Sequence, residues 1–471
     1  MTPPQGAYWS NRSGATLTYP QALGALEARG RFGVRLGLGR TRALLAELGH
    51  PERSFRGALI AGTNGKGSVL ALTGAALMAA GLRTGLTPKP HLATYRERLQ
   101  IDGAPVDERE FTRLVDEVLA LANRVARRHG EPTEFELLTA ITFRWFGEAG
   151  IDLAVVEIGL GGRLDATHAW DGGVAVVTNV ALDHMDRLGP TVEAIAREKA
   201  AIIMPGDRAV TGAAGGALGV IERRARRVAA PLSLVGPAPL LRLDRDGIEV
   251  EVGRLGRVRV GLRGRHQAAN VAVADATLDA LEAAGIARVP PNARRAGYGA
   301  VRWPGRLELI EADGRDVLID GAHNPAGAAA LAQALDDLAP FLAPGRPTLV
   351  VAIMADKDVD GVLEALAGAA MLARARVICT APSGDRALPP DQLAARWQAA
   401  ADRRGITARR AEVAADPAAA VEMALAAGNG PLVVAGSLYL VGAVRSLLVD
   451  DPLLAPDPPA QLPPAGPAAA P

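Results

Sequence analysis

Residues 58–72 constrain this chain more than any other stretch. Ala58-Leu59-Ile60-Ala61 is a short apolar run, Gly62-Thr63-Asn64-Gly65-Lys66-Gly67-Ser68 a glycine-rich turn, and Val69-Leu70-Ala71-Leu72 the start of a helical apolar pattern. Strand, glycine loop and helix in succession are the context that makes phosphate binding credible. Glycines let backbone N–H groups approach an anion closely. The helix start adds unpaired donors and a positive dipole end. Lys66 can reach the outer phosphates of a nucleotide, and the Ser68 hydroxyl can sit on Mg²⁺. The commoner loop places Ser or Thr directly after the lysine, whereas here Gly67 intervenes. The competing reading is a tight turn into a helix whose Lys66 faces solvent.

A parallel α/β sheet follows from the runs that flank this loop. Leu153-Ala154-Val155-Val156-Glu157-Ile158 and Val174–Val180 are apolar, the first carrying Glu157 near its end and the second followed by Asp183 and His184. Such runs, separated by helical patterns at 107–128, 133–147, 193–203 and 266–284, predict strands buried on both faces. Ligands then sit beyond the carboxyl ends of the strands, where Gly62, Glu157 and His184 all fall. Residues 240–262 alternate weakly and predict short antiparallel strands. Val289-Pro290-Pro291-Asn292 reads as too polar and proline-rich for a core element. A chain of 471 residues exceeds one ordinary core. We therefore expect an N-terminal phosphate-binding domain over 1–296 and a smaller α/β, Rossmann-like domain over 297–451. The second domain has strands expected at 317–319, 348–353, 376–379 and 432–435, and helices at 326–338 and 390–403. Residues 1–17 read as a loose arm, residues 23–48 as two helices broken around 30–37, and 452–471 as a disordered tail.

Lys and Arg number 52 against 51 Asp and Glu, so no bulk charge favours nucleic acid or an anionic membrane. The basic run Glu222–Arg227 lacks the interleaved aromatics of a nucleic-acid face. The one cysteine, Cys379, excludes an intramolecular disulfide and suits a reducing compartment. Residues 1–14 lack an apolar signal core, and no stretch approaches about 18 uncharged apolar residues, so the expected setting is the cytoplasm.

Ser68, Glu157 and His184 offer oxygen, oxygen and nitrogen ligands to a metal. Mg²⁺ prefers oxygen and retains waters, so one histidine is unusual in such a set. The plainer alternatives are a loop-capping carboxylate at Glu157 and a histidine donating to a backbone carbonyl at His184. Asp320-Gly321-Ala322-His323-Asn324-Pro325 is either a second strand-end site or an Asx turn opening a helix. Asp356-Lys357-Asp358 is either a third or a solvated face. His168 reads as structural. Sites at strand ends in both halves imply a cleft, with nucleotide held on one side and covered by the other.

Taken together, Ala61–Ser68, Pro90–Leu99, Glu157–Thr167, Asn179–Met204, Gly264–Asn270, Pro304–Glu308, Asp320–Pro325, Asp356–Asp358 and Gly436–Gly442 closely resemble the folylpolyglutamate synthase and dihydrofolate synthase enzymes of the Mur ligase superfamily. The resemblance runs from about Tyr19 to Arg445. It implies a Mur-ligase-like two-domain architecture in which Gly62, Thr63, Asn64, Gly65, Lys66, Gly67 and Ser68 cradle ATP and Asn270 meets adenine. Arg306, Asp320 and His323 approach the nucleotide from the second domain. Ser68, Glu157, His184 and Lys199 would form the Mg²⁺ sites, Lys199 as a carbamylated lysine, and a monovalent cation is a further candidate. Lys66, Lys199 and His323 would carry catalytic roles, with Lys89, His91, Glu136 and His323 on the substrates. The implied reaction activates a pterin substrate's carboxylate as an acyl phosphate, which the amine of L-glutamate attacks. Dihydropteroate and reduced folates are the implied acceptors, and a monomer the implied state.

Two departures bear on substrate preference. Pro88-Lys89-Pro90-His91-Leu92 stands where the family carries Ser-Ser-Pro-His-Leu, so Lys89 replaces a serine associated with metal and phosphate. Asp165-Ala166-Thr167-His168 ends in histidine instead of asparagine, and Glu134 precedes Phe135-Glu136. The competing functions are a monofunctional folylpolyglutamate synthase, a ligase acting on a peptidoglycan precursor, a P-loop NTPase acting as switch or motor, and a non-catalytic nucleotide module.

Overall fold

The computed structural model describes residues 17–30, 37–382, 386–406, 410–426 and 428–462. Residues 1–16 of the expected arm, 31–36 of the expected helix break and 463–471 of the expected tail lie outside them.

Three sheets organise the described residues. The first runs β4-β3-β2-β5-β1-β6-β7-β8. It comprises β1 (Arg56–Ala61), β2 (Thr84–Thr87), β3 (Gln100–Ile101), β4 (Ala104–Pro105), β5 (Leu153–Glu157), β6 (Gly173–Val177), β7 (Arg208–Thr211) and β8 (Leu232–Leu234). β1 is central and pairs in parallel with β5 and β6. Its side chains alternate between two buried layers. Leu59 and Ala61 face helices Tyr19–Gly30, Glu108–His129 and Glu134–Ala149, while Ala58 and Ile60 face helices Lys66–Ala79 and Gln267–Ala283. Burial on both faces is why these strands are continuously apolar. Phe55, Phe143, Phe146 and Trp170 stack edge-on or tilted in the first layer, with ring centroids 5.6 to 5.9 Å apart.

The expected antiparallel strands form the second sheet, β11-β10-β9, from β9 (Leu240–Asp244), β10 (Gly247–Val252) and β11 (Gly256–Val260). The third sheet runs β12-β13-β17-β14-β15-β16. It comprises β12 (Glu308–Ala312), β13 (Arg315–Asp320), β14 (Thr348–Val351), β15 (Arg376–Cys379), β16 (Glu412–Val413) and β17 (Leu432–Ala435). β13, β17, β14 and β15 are parallel, as the second α/β unit requires.

Two expectations are corrected. The proline-rich segment at 289–292 opens a core helix, Pro291–Ala300, with proline at its first position and Val289 buried 3% exposed before it. Proline suits that position because its missing N–H would be unpaired there anyway. Gly297 lies against the backbone of Ala75 and Ala76, so the helix packs tightly on Lys66–Ala79. The expected division after residue 296 therefore runs through a helix of the first unit, and the chain changes sheets only after Ala300. Within residues 452–462 of the expected disordered tail, Asp457 and Gln461 dock on the first domain. The Tyr19 hydroxyl donates to Asp457 at 2.5 Å, and the Gln461 N–H donates to the Pro20 carbonyl at 2.9 Å. Non-periodic chain held by individual polar contacts leaves no compositional signal.

Candidate active site

The carboxyl ends of β1, β5 and β6 open into a cleft of about 1050 Å³, closed on its far side by the end of β13 and the following turn. Gly62 to Gly65 connects β1 to helix Lys66–Ala79. Gly62 and Gly65 have φ of 154° and 80°. A side chain on Gly62 would collide with the Thr178 hydroxyl, and one on Gly65 with the Asn270 amide. These glycines therefore serve close approach as well as backbone freedom. The loop is pinned from below: Thr178 Oγ1 donates to the Asn64 carbonyl at 2.7 Å, and Asn179 Oδ1 accepts from the Asn64 N–H at 2.9 Å.

Lys66 opens the helix and folds its ammonium back over the loop, 3.2 Å from the carbonyls of both Gly62 and Thr63 and 3.9 Å from Glu157 Oε1. Burial lowers its proton affinity, and the Glu157 and Asp183 carboxylates oppose that shift. The solvated alternative for Lys66 is thus overturned. Ser68 is 3% exposed and lines the cleft. Lys199 is 5% exposed, and its amine donates to the Gly62 carbonyl at 2.8 Å. Burial, reinforced by Lys66, depresses it to about 7.

Glu157 ends β5. Its Oε2 accepts the Lys89 N–H at 3.0 Å, and its carbonyl accepts the Lys89 ammonium at 2.5 Å. Burial raises the Glu157 carboxyl against the pull of Lys66 and Lys89. Lys89 also lies 5.2 Å from the centre of the Phe135 ring, and burial lowers its ammonium to about 8. His184 follows β6 with φ of 50°, a left-handed backbone that is uncommon for a non-glycine residue. Its Nε2 faces the Lys357 ammonium at 3.2 Å, and burial lowers its pKa.

The second domain contributes Arg306, Asp320 and His323 to the same cleft. Asp320 accepts backbone N–H groups from Leu307 and Ala322, both at 2.8 Å. The Asx-turn alternative therefore holds for its carboxylate, whereas the cap of helix Pro325–Leu338 is Asn324. His323 Nδ1 pairs with the Gly321 carbonyl at 2.8 Å. Burial, with Lys357 adding to it, lowers His323 to about 4, so its imidazole is neutral at neutral pH.

Asn270 and Glu136 also line the cleft. Glu136 is 2% exposed; its Oε2 accepts from Arg40 at 2.9 Å and from the Thr133 N–H at 2.8 Å, while Oε1 has no hydrogen-bond partner. His91 does not line the cleft. It stands behind Arg98, whose Nε donates to His91 Nδ1 at 2.9 Å, and Arg98 takes the lining position.

Sequence reasoning missed the contacts between the domains. Lys357 donates to Asp183 at 2.8 Å across 174 residues of chain. Asn64 and Asn324 exchange amide hydrogen bonds of 3.3 and 3.0 Å, and Asn324 donates to Asp183 at 3.1 Å. Burial would raise the Asp183 carboxyl, but Lys357, His184 and His323 together hold it down to about 2. The Asp356-Lys357-Asp358 cluster was visible in the sequence, but its partner was not. Arg98, Phe135 and Asp165 also line the cleft, and only their neighbours in sequence carried a signal.

Among the described residues no three His, Cys, Asp or Glu side chains group to hold a metal. One carboxylate, one imidazole and one hydroxyl in the cleft nevertheless fit a divalent ion that completes its shell with phosphate oxygens and water. The arrangement thus offers a cradle for a nucleotide triphosphate, cations around its outer phosphates, and room for an acceptor along the Lys89–Phe135–Glu136 wall.

Comparison with known proteins agrees with this geometry. Residues 60–211 match the Mur ligase middle domain, and residues 305–438 the Mur ligase glutamate ligase domain. The chain is 36% identical over 459 residues to the dihydrofolate synthase/folylpolyglutamate synthase of Mycobacterium tuberculosis, spanning 88% of this chain and 90% of that one. The structure of the Mycobacterium tuberculosis folylpolyglutamate synthase complexed with ADP and AMPPCP superimposes with a TM-score of 0.82 at 33% identity, over 92% of this chain and 99% of that one. A bifunctional folylpolyglutamate synthase/dihydrofolate synthase from Yersinia pestis, complexed with AMPPNP and Mn, aligns with a TM-score of 0.76 at 28% identity, over 92% and 98% of the two chains.

Proposed function

The chain belongs to the folylpolyglutamate synthase/dihydrofolate synthase family of the Mur ligase superfamily, and from that premise we propose that it carries both activities of the family in one cleft. It is an ATP-dependent, amide-forming ligase that joins glutamate to folate-type acceptors. The finer reading is that both dihydropteroate and reduced folates serve as acceptors. The observation that carries it is the cleft itself: a phosphate loop, cations from both domains and an acceptor wall meet in one open cleft.

The acceptor carboxylate attacks the γ-phosphorus of ATP, ADP departs, and the resulting acyl phosphate is attacked by the glutamate amine. Phosphate then leaves the tetrahedral adduct. Phosphoryl transfer of this kind is catalysed mainly by position and charge. Lys66 bears on the outer phosphates from the loop, and Arg306 faces them from the second domain. Asn270 holds the base end and Asp320 the ribose. His323, held neutral at working pH, lines the second-domain side of the cleft as a hydrogen-bonding group for substrate and not as a proton acceptor. Lys89 presents its ammonium to the acceptor carboxylate, Glu136 braces that wall through Arg40 and the Thr133 N–H, and His91 acts through Arg98. An acyl phosphate hydrolyses readily, so closure through the Asn64–Asn324 and Asp183–Lys357 contacts excludes water. No step needs a covalent protein nucleophile, and Cys379 is buried away from the cleft.

Ser68, Glu157 and His184, with Lys199 as its carbamate, are the residues that would hold Mg²⁺. When bound, the ion supplies positive charge to the phosphate oxygens. The support for Lys199 is its burial beside the phosphate loop and its depressed basicity, because CO₂ adds to the neutral amine with release of one proton. Protein equilibrated with ¹³C-bicarbonate should show a carbamate carbon signal that Lys199→Ala lacks. Absence of any Lys199-dependent signal at neutral pH refutes the modification. The reading takes the protein as a monomer in the cytoplasm, which size-exclusion light scattering and cell fractionation check. Among the described residues no helix is long and apolar enough to cross a membrane.

The functional test is ADP release by purified protein with ATP and Mg²⁺, with dihydropteroate or tetrahydrofolate, and with or without L-glutamate. We expect turnover only when acceptor and glutamate are both present, and with each acceptor. Turnover with tetrahydrofolate alone makes the enzyme monofunctional. Turnover independent of both substrates returns it to the NTPase class.

A further inference from the structure

The described C-terminal residues return from the second domain to the first and end beside the segment that carries Arg98 of the cleft wall. Helix Leu438–Leu448 is tied at Arg445, which donates to Glu308 at 3.1 Å and to Asp451 at 3.0 Å. From there the chain crosses without secondary structure, and its neighbours Ala455, Pro456, Pro458 and Pro459 are exposed while Asp457 is half-buried. The Asp457 carboxylate accepts three hydrogen bonds: from the Tyr19 hydroxyl at 2.5 Å, the Thr94 hydroxyl at 2.6 Å and the Tyr95 N–H at 2.8 Å. The Gln461 N–H then bonds to Pro20, and the Gln461 carbonyl lies so close to Gly24 that any side chain there would displace it. Four prolines at 452, 456, 458 and 459 restrict this stretch before it docks, which lowers the entropy lost on ordering it.

Segment 91–98 is the object of this anchoring. Glu97 gathers the N–H groups of Leu92, Ala93 and Thr94 at 3.0, 2.6 and 2.8 Å. Leu92 packs among second-domain side chains, and Gly442 has no side chain because the Leu92 carbonyl occupies that space. The Tyr95 ring carries His91 at 4.5 Å between centroids and Arg98 at 5.5 Å. Arg98 and Glu134 line the cleft. A carboxylate 438 residues from Tyr19 thus sets the backbone of Tyr95, and the Tyr95 ring carries Arg98 of the acceptor wall.

We propose that residues 451–461 form an interdomain strap and that Asp457 is a positioning residue for the acceptor end of the cleft. This rests on the acceptor assignment above. It predicts that Asp457 governs acceptor affinity separately from ATP handling, because the phosphate loop shares none of its contacts.

The test uses the full chain with Asp457→Ala and Asp457→Asn, after thermal melts establish that both fold. Amide exchange over residues 92–95 should quicken about tenfold or more in Asp457→Ala, and less in Asp457→Asn, which keeps one acceptor oxygen. KM for the acceptor should rise about fivefold or more, with kcat and the KM for ATP within about twofold. Wild-type exchange over 92–95 in Asp457→Ala overturns the strap. Equal rises in KM for ATP and acceptor overturn the positioning role. If the unaltered protein turns over no folate-type acceptor, the functional reading fails while exchange still decides the strap.

Discussion

Lys66→Met replaces the loop ammonium with an apolar chain of similar length. The ammonium lies 3.9 Å from Glu157 Oε1, with the Lys66 side chain 18% exposed and Glu157 3% exposed. At an effective dielectric of about 20, that separation corresponds to roughly 4 kcal/mol of gross attraction. Desolvation of both groups offsets much of it. Glu157 retains the Lys89 N–H at 3.0 Å, so it is not left without a donor. The net loss of stability should be about 1–2 kcal/mol, a fall in Tm of only a few degrees for domains of this size. The catalytic loss should be far larger, because the ammonium also meets charge that develops on the transferring phosphoryl group. Removing one preorganised donor costs about 10²–10³ in rate, and removing a cation on a phosphoryl group about 10³–10⁵. We expect kcat to fall about 10³-fold or more, read by ADP release at saturating acceptor and glutamate. A variant that melts within a few degrees of the parent and keeps a tenth of its kcat would refute the phosphate-loop role.

Asp183 is held at about 2 against an ordinary 3.8, so its contribution to stability is present above about pH 4 and lost as pH falls through about 2. The linkage is on the order of 2 kcal/mol; Asp183→Asn should flatten acid unfolding between pH 4 and 2, and an unchanged acid limb contradicts the interdomain pairing. Lys89→Ser should shift the ratio of kcat/KM for dihydropteroate over tetrahydrofolate, and a parent ratio of about 1000, roughly 4 kcal/mol, would mark effective monofunctionality. No change in either value makes Lys89 a replacement without specificity. Gly297→Leu should destabilise by at least about 1–3 kcal/mol through overpacking against Ala75 and Ala76, seen as a lowered denaturant midpoint; an unaltered midpoint contradicts the helix contact.

The site was legible where function depends on local chain geometry. Gly62–Ser68 announces itself because a turn needing φ of 80° at Gly65 and close approach at Gly62 restricts residue choice at fixed spacing. Glu157 and His184 are placed at the cleft edge by sequence because parallel strands put their carboxyl ends on one edge, and both line the cleft. Contacts that join distant segments left no such trace. The Lys357 side chain is 9% exposed against Asp183, yet its sequence neighbours Asp356 and Asp358 make it read as solvated. Helix Pro291–Ala300 was missed because Pro290-Pro291 reads as an interruption when its first-turn position is unknown. The strap was missed because one carboxylate with three donors has no period. The resemblance puts His91 on the substrates, whereas its contacts with Tyr95 and Arg98 set it one layer behind the cleft lining.

The central claim is that the acceptor's own carboxylate is activated by ATP in this cleft. Dihydropteroate labelled with ¹⁸O in both carboxylate oxygens tests it in one turnover with ATP and L-glutamate. Attack on the γ-phosphorus followed by loss of phosphate must carry one labelled oxygen into each phosphate released, and leave one in the amide. Mass analysis of the phosphate should therefore show one ¹⁸O per product formed. Unlabelled phosphate accompanying amide formation would contradict the account.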